Sequence, residues 1–333
     1  MKKKVKILSI DGGGIRGTIP AVILDYVETE LKKKSCNQDI VIQDFFDMIA
    51  GTSTGGILTC FYLHPSRFLA EEAVKLYVDN GAKIFKPKIP IFNKVLSLIT
   101  AKYSVKGIKE TLNDAFGESK LSEAAKHSLI TSYDIVGRKA VFFTVPEAKE
   151  NPSQRDYYLK DIARATSAAP TYFAPASIKS IGGEKHYLLD GAMFANNPSL
   201  CAIVEARKTK FERCENPTIK DIYLVSIGTG KETKLLNAEK MSKWGLAKWA
   251  VPVLDILMTA SPEVVSYQIK QLFEVSGCSD CYVRLEPELH GANFKIDDAS
   301  KENIKKLKEA GKYYIKENRE KLDKIVDDLL KET

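Results

Sequence analysis

The run "VKILSI" at positions 5–10 has no helical spacing and stops at a cluster of glycines, which predicts a buried β-strand. Just beyond the cluster, "TIPAVILDYVETELKKK" places Ile19, Val22, Ile23, Tyr26, Val27 and Leu31 three or four residues apart on one helix face. Thr18 is the expected cap of that helix, and lysines gather at its far end, where the helix dipole favours positive charge. The alternation then repeats. "FFDMIAG" reads as a second strand and "GGILTCFYL" as a helix, with further strands expected at "LITSYDI", "AVFFTV", "YLLD", "IYLVSIGTG" and "YVRLE". Helices are expected at "SLCAIVEARKTKF" and "SPEVVSYQIKQLFEV", and from about 296 onward a charged segment keeps an apolar helical stripe. Strands alternating with helices give an α/β fold class: three layers, α/β/α, around a mostly parallel central sheet, with a helical C-terminal extension packed on it. No Gly/Ser/Pro-rich linker breaks the chain. The expectation is therefore one domain over 1–333, with a core over about 5–235 and a mostly helical part over about 236–333.

Three segments at the ends of predicted strands carry candidate chemistry. In "DGGGIRG", Gly12, Gly14 and Gly17 spell G-x-G-x-x-G between a strand and a helix, where backbone N–H groups and the helix dipole suit an anion. That anion is either the pyrophosphate of a dinucleotide or a charge present only during a reaction. Asp11 would set a negative charge beside a pyrophosphate, and Arg16 adds a positive one inside the loop or holds its shape. In "GTSTGG", Gly51, Ser53 and Gly55 form G-x-S-x-G between a strand and a helix, a tight turn that lifts a serine hydroxyl onto a helix N-terminus. A plain Gly/Ser-rich βα turn matches the same letters. In "YLLDGAMFANNPS", Asp190 ends a predicted strand before Gly191, at the sheet's carboxyl edge where open α/β sheets bind ligands, although Asp-Gly alone is also a common turn. Asn197 and Pro198 read as the cap and first turn of a helix. Should Ser53 attack a carbonyl, the glycine loop would hold the oxyanion, each donor contributing roughly 3–4 kcal/mol. The dinucleotide reading, which leaves the second and third segments without a role, stands as the alternative.

Composition narrows the partners. Of 50 basic residues 41 are lysine and 9 arginine, with a net charge of +7. Base reading and phosphate clamping favour arginine, so no nucleic-acid partner is expected. The lysines form a solvated surface or one that meets anionic headgroups. The apolar stretch after "MKKK" ends at Asp11, too early for a signal peptide, and the uncharged run Met48–Ser66 is broken by glycines and reads as core. With six cysteines and no secretion signal, the thiols are expected to be reduced and the protein cytoplasmic. Cys278 and Cys281 form a lone C-x-x-C with no second pair, so neither a metal nor any other cofactor is expected.

"DGGGIRG", "GTSTGG" and "DGA" in this order, with "ATSAAPTYFAP" at 165–175 between the last two, resemble a patatin-like phospholipase. The resemblance runs from about Val5 to Gly230, weakens through 235–290 and returns at "DDASKENIKKL". It implies a patatin-like hydrolase fold with a Ser–Asp dyad: Ser53 as nucleophile, Asp190 as base, and an oxyanion site from the Gly12, Gly13 and Gly14 backbone with Arg16. Gly17, Gly51, Gly55 and Gly191 support these motifs. It also implies calcium-independent hydrolysis of phospholipid, lysophospholipid or galactolipid acyl esters through an acyl-enzyme, with transient contact at a membrane surface. An idle storage or interaction protein on the same fold is a further alternative. A free aspartate, with a pKa near ~3.9, is a weak base toward serine, so the dyad requires burial to raise its proton affinity.

The order Ser53, Asp190, His290 also matches an α/β-hydrolase triad, but Ser53 follows only the second strand and "ELHGANF" places His290 at no strand end. His64, His127 and His186 read as surface or core histidines. Two segments mix lysine with apolar residues: 83–103 and 243–258, the latter holding Trp244, Trp249, Lys243 and Lys248. Each is a membrane-touching lid or acyl-chain wall, or else an ordinary core helix with a lysine edge.

Overall fold

The computed structural model describes residues 4–88, 100–212, 214–231, 238–242 and 244–331. Its strands are β1 (Val5–Ile10), β2 (Met48–Gly51), β3 (His127–Asp134), β4 (Lys139–Phe143), β5 (Ala176–Lys179), β6 (Lys185–Asp190), β7 (Ile222–Ile227) and β8 (Tyr282–Leu285). Every residue of β1, β2 and β7 is buried, as strands covered on both faces require. The sheet order is β5-β6-β3-β2-β1-β7-β8, with β4 also on β3. β1 runs parallel to β2 and β7, β2 to β3, and β7 to β8. The expected parallel sheet is thus the centre of the molecule. On one side it continues into a wing in which β4 and β6 run antiparallel to β3, and β5 antiparallel to β6. β5, only four residues long, was not among the predicted strands.

Register in this wing decides where the chemistry sits. Ile130 of β3 faces both Gly51 of β2 and Phe143 of β4, while Ser132 faces both Val141 of β4 and Asp190 of β6. A strand has two edges, so β4 takes one and β2 and β6 share the other. β2 and β6 therefore approach each other end to end, carboxyl terminus toward carboxyl terminus.

Side chains of β1 alternate between the two helix layers. On one side, Ser9 Oγ lies 2.8 Å from Ser199 Oγ in the helix Ser199–Lys208. On the other, Lys6, only 1% exposed, donates from Nζ to the Leu329 carbonyl at 2.7 Å, in the last helix, Arg319–Leu330. That layer also holds Thr18–Ser35, which packs on Lys301–Glu317 and on Arg319–Leu330. Thr18 is the first residue of its helix and donates to the Ile15 carbonyl at 2.8 Å, so it is not a side-chain cap. Asn197 does serve its helix: its Oδ1 accepts the Ser199 N–H at 2.9 Å.

Candidate active site

After Gly51 the chain must turn within two residues into the helix Thr54–Tyr62. The turn falls on Ser53, with φ 55° and ψ −121°, a conformation that costs a residue with a Cβ about 1–3 kcal/mol. Neighbours hold it there. The Ser53 N–H donates to Thr166 Oγ1 at 2.9 Å, and the adjacent Thr52 donates from Oγ1 to the Ala195 carbonyl at 2.6 Å. A Cβ on Gly51 would lie 2.1 Å from the Gly55 carbonyl oxygen, and one on Gly55 2.1 Å from that of Ile10, so the elbow closes only with glycine at both places.

Asp190 stands opposite. Its Oδ2 accepts the Ser53 hydroxyl at 2.7 Å and its Oδ1 accepts the Ala192 N–H at 2.8 Å. The sequence placed Asp190 at the carboxyl edge as the end of a strand like its neighbours; the structure brings it there from the opposite direction, because β6 runs antiparallel to β3 and ends beside the end of β2. Gly191 lets the chain leave under Thr131, whose Oγ1 would be 2.0 Å from a Cβ there. Asp190 is 1% exposed, and burial pushes its pKa up to about 7, against the pull of the Ser53 and Ala192 hydrogen bonds and the Arg164 charge. Such a carboxylate is ionised near neutrality yet basic enough to take a proton.

The glycine loop presses on the serine from the other side, where a Cβ on Gly12 would come within 3.2 Å of Ser53 Cβ. Its amides are not equivalent. Gly12 spends its N–H on the Asn196 carbonyl at 3.0 Å, whereas the N–H groups of Gly13, Gly14 and Thr54 have no acceptor among the described residues. Gly14, at φ 59°, lines the same pocket as Ser53 and Thr54. Of these free donors, Gly14 and Thr54 line the pocket with the serine, Gly13 precedes them in the loop, and Gly12 supports them. Arg16 does not line that pocket. It is 3% exposed, with Nε 3.4 Å from the Gly13 carbonyl, Nη1 3.4 Å from that of Gly230, and its guanidinium 5.1 Å from the Phe294 ring centre. It braces the loop. Gly17 fits against Thr54, whose Oγ1 would be 2.1 Å from a Cβ.

Asp11 has a partner that sequence reasoning missed. Arg284 of β8 grips both carboxylate oxygens, Nη2 to Oδ2 at 2.6 Å and Nη1 to Oδ1 at 3.0 Å. Burial raises Asp11 to about 6 even against that cation. The pair ties the glycine loop to the far edge of the sheet.

Before the serine lies an apolar pocket of about 520 Å³, walled by Ile57, Ile84, Phe85, Ile108, Phe173 and Ile296. Ile84 and Phe85 belong to the segment 83–103 expected to meet lipid; residues 89–99 of it lie outside the described residues. A smaller recess of about 250 Å³ opens on the Asp190 side, between Pro170, Tyr172, Met193 and Met258. Met258 comes from the helix Leu246–Val275, near whose start Trp244 and Trp249 pack edge to face at 5.5 Å, with Lys248 exposed; Lys243 lies outside the described residues. No helix among the described residues is long and apolar enough to cross a membrane.

The histidines lie elsewhere. His64 stacks on Phe68, His127 meets Phe211, and His290 lies 3.8 Å from the Tyr313 ring. His186 shares a face of β6 with Asp190 but sits four residues back, about 13 Å along the strand, facing Tyr157. The space over the glycine loop is apolar, which suits an acyl chain better than the phosphates of the alternative nucleotide reading.

Known proteins share this arrangement of sequence. Residues 8–203 match the family described as Patatin-like phospholipase. The chain is 34% identical to Patatin-like protein 2 of Oryza sativa subsp. indica over 96% of its own length and 86% of that protein. It is 33% identical to Probable inactive patatin-3-Kuras 1 of Solanum tuberosum, over 94% of its length and 87% of that protein. Among solved structures, human GIVD cytosolic phospholipase A2 aligns with 100% of this chain and 61% of that one, at 10% identity and a TM-score of 0.49.

Proposed function

Because this chain belongs to the patatin-like phospholipase family, we propose that it hydrolyses fatty-acyl esters of membrane lipids through Ser53 and Asp190. The observation that carries the proposal is the 2.7 Å hydrogen bond from Ser53 Oγ to a buried carboxylate beside an apolar pocket. The acyl chain enters that pocket, each buried methylene contributing about 0.8 kcal/mol. Ser53 Oγ attacks the ester carbonyl while its proton passes to Asp190 Oδ2. The carbonyl oxygen becomes an oxyanion facing the N–H groups of Gly13, Gly14 and Thr54, which are already in place. Collapse expels the alcohol, which takes the proton back from Asp190. Water then attacks the acyl-serine, passing a proton to Asp190 Oδ2; the bond from the acyl carbon to Ser53 Oγ breaks, Ser53 takes that proton back, and the fatty acid leaves.

Phospholipids, lysophospholipids and galactolipids all offer the ester this chemistry needs, which makes the protein a carboxylic ester hydrolase working at a membrane surface. A fluorophosphonate probe should label Ser53, and incubation with vesicles of mixed lipids should release fatty acid, read by mass spectrometry. Neither should occur with Ser53→Ala. An unlabelled wild type that releases no fatty acid would instead make the chain idle, as the name of its potato relative says of that protein.

A further inference from the structure

Arg164, in the helix Leu159–Thr166, is a cation the chemistry above does not use. It is 3% exposed. Its Nη2 donates to the Ala174 carbonyl at 2.6 Å and its guanidinium lies 5.6 Å from the ring centre of Phe173, a wall of the acyl pocket. Nε and Nη1 are buried with no partner among the described residues. A guanidinium left half-paired inside a protein is costly to bury. Its helix packs on β6, and the Asp190 N–H donates to the Ala168 carbonyl at 3.1 Å, two residues past the end of that helix, so the counter-charge within reach is Asp190. Burial lowers Arg164 to about 10 while the Asp190 carboxylate opposes that fall, yet no ion pair joins the two, since the bonds of Asp190 go to Ser53 and Ala192.

We propose that Arg164 is a positioning residue that keeps Asp190 ionised for the Ser53 proton without occupying the oxygen that receives it. The inference rests on the dyad proposed above. A contrast within the molecule explains the separation. Asp11, equally buried, is clamped by Arg284 through both oxygens and has none free for a serine. A charge that acts through the protein interior from beyond contact favours the anion and leaves its lone pairs open.

The other charges around Asp190 are engaged or remote. β3 carries His127 at its start and Asp134 at its end, the latter bonded to the N–H groups of Val136 and Gly137. β5 carries Lys179, in register with Lys185 at the opposite end of β6, where His186 also lies. The helix Leu159–Thr166 carries, besides Arg164, Asp161 and the Lys160 paired with Glu118. The helix Thr54–Tyr62 and the short turn Ala192–Ala195 hold no charged residue, and Met258 is the residue of the helix Leu246–Val275 at the recess beside Asp190. Across the dyad, Arg16 braces the loop and Asp11 is paired with Arg284.

The test is the pH profile of kcat/KM on a soluble p-nitrophenyl ester. In Arg164→Gln, which retains side-chain N–H donors for the Ala174 carbonyl but no charge, the acid limb should move up by about one unit. At pH 6 that variant should run about tenfold below wild type and converge with it above pH 8, with KM unchanged. Arg164→Met should behave alike and Arg164→Lys should return the limb toward wild type. A purely structural role predicts that Gln rescues, or that every variant loses activity equally at all pH, and either result overturns the inference. If Arg164→Met does not fold, the Gln and Lys profiles decide. Asp190→Asn, run in parallel, separates the two proposals: wild-type activity there removes the dyad, whereas an inert Asp190→Asn beside an unshifted Arg164→Gln limb removes only the role of Arg164.

Discussion

A base held where water cannot reach it must weaken the fold that holds it, and Asp190→Asn measures by how much. In the folded protein the Asp190 pKa is about 7, against 3.8 for an exposed aspartate. Since the folded-state value is the higher one, the native protein holds the proton more tightly than the unfolded chain. Stability from this group is therefore full below pH 3.8, falls as pH rises toward 7, and stays low above it. Three units at 1.36 kcal/mol each set a ceiling of about 4 kcal/mol. Asparagine carries no charge and keeps an acceptor for the Ala192 N–H, so it should recover about 2–4 kcal/mol at pH 8. For a chain of 333 residues, at roughly 2 cal/mol/K of unfolding entropy per residue, that gain raises Tm by about 3–6 °C. Esterase activity should fall by about 10²–10⁴-fold with loss of the base. The assay is thermal unfolding of both proteins from pH 4 to pH 8, where the gap should open with rising pH and nearly vanish at pH 4. A variant no more stable than wild type at pH 8, or a gap independent of pH, would refute a desolvated carboxylate at 190.

Other expectations follow from single contacts. Wild-type kcat/KM should rise about tenfold per pH unit on the acid side and level off near pH 7, where Asp190 ionises; a limb near pH 4 would contradict its burial. Ser53→Gly and Ser53→Ala should both be inert, with the glycine variant about 1–2 kcal/mol more stable in urea, because only alanine keeps a Cβ at φ 55°. Arg284→Met should cost about 3–5 kcal/mol by stranding the Asp11 charge, and adding Asp11→Asn should restore most of it. His186→Ala and His290→Ala should keep near-normal ester hydrolysis, and a loss of several orders of magnitude in either would reinstate a histidine triad.

The strands of the parallel centre could be read from the chain because burial on both faces demands unbroken apolar runs, as in "VKILSI" and "IYLVSI". The antiparallel wing could not. Direction leaves no mark on a run as short as "YLLD", and β5 alternates over only four residues. The serine elbow was visible because glycine punctuates it, but which amides remain free was not, since that turns on the carbonyl of Asn196 lying over Gly12. Arg16 drew attention by its place in the loop, yet Arg164 and Arg284, distant in sequence, are the arginines whose charges act on buried carboxylates. Asp11 held the available clue: a carboxylate between a core strand and a glycine run calls for a cation, without saying which of 50.

The clasp between Asp11 and Arg284 has a consequence for how the protein is made. The glycine loop is synthesised well before Arg284, the Ile296 carbonyl that accepts the Ile15 N–H, and the Leu329 carbonyl over Lys6. Until then the loop lacks its counter-charge. A chain not yet extended past these residues would lack the contacts that shape the loop beside Ser53, so the ester hydrolysis proposed for it would wait for them.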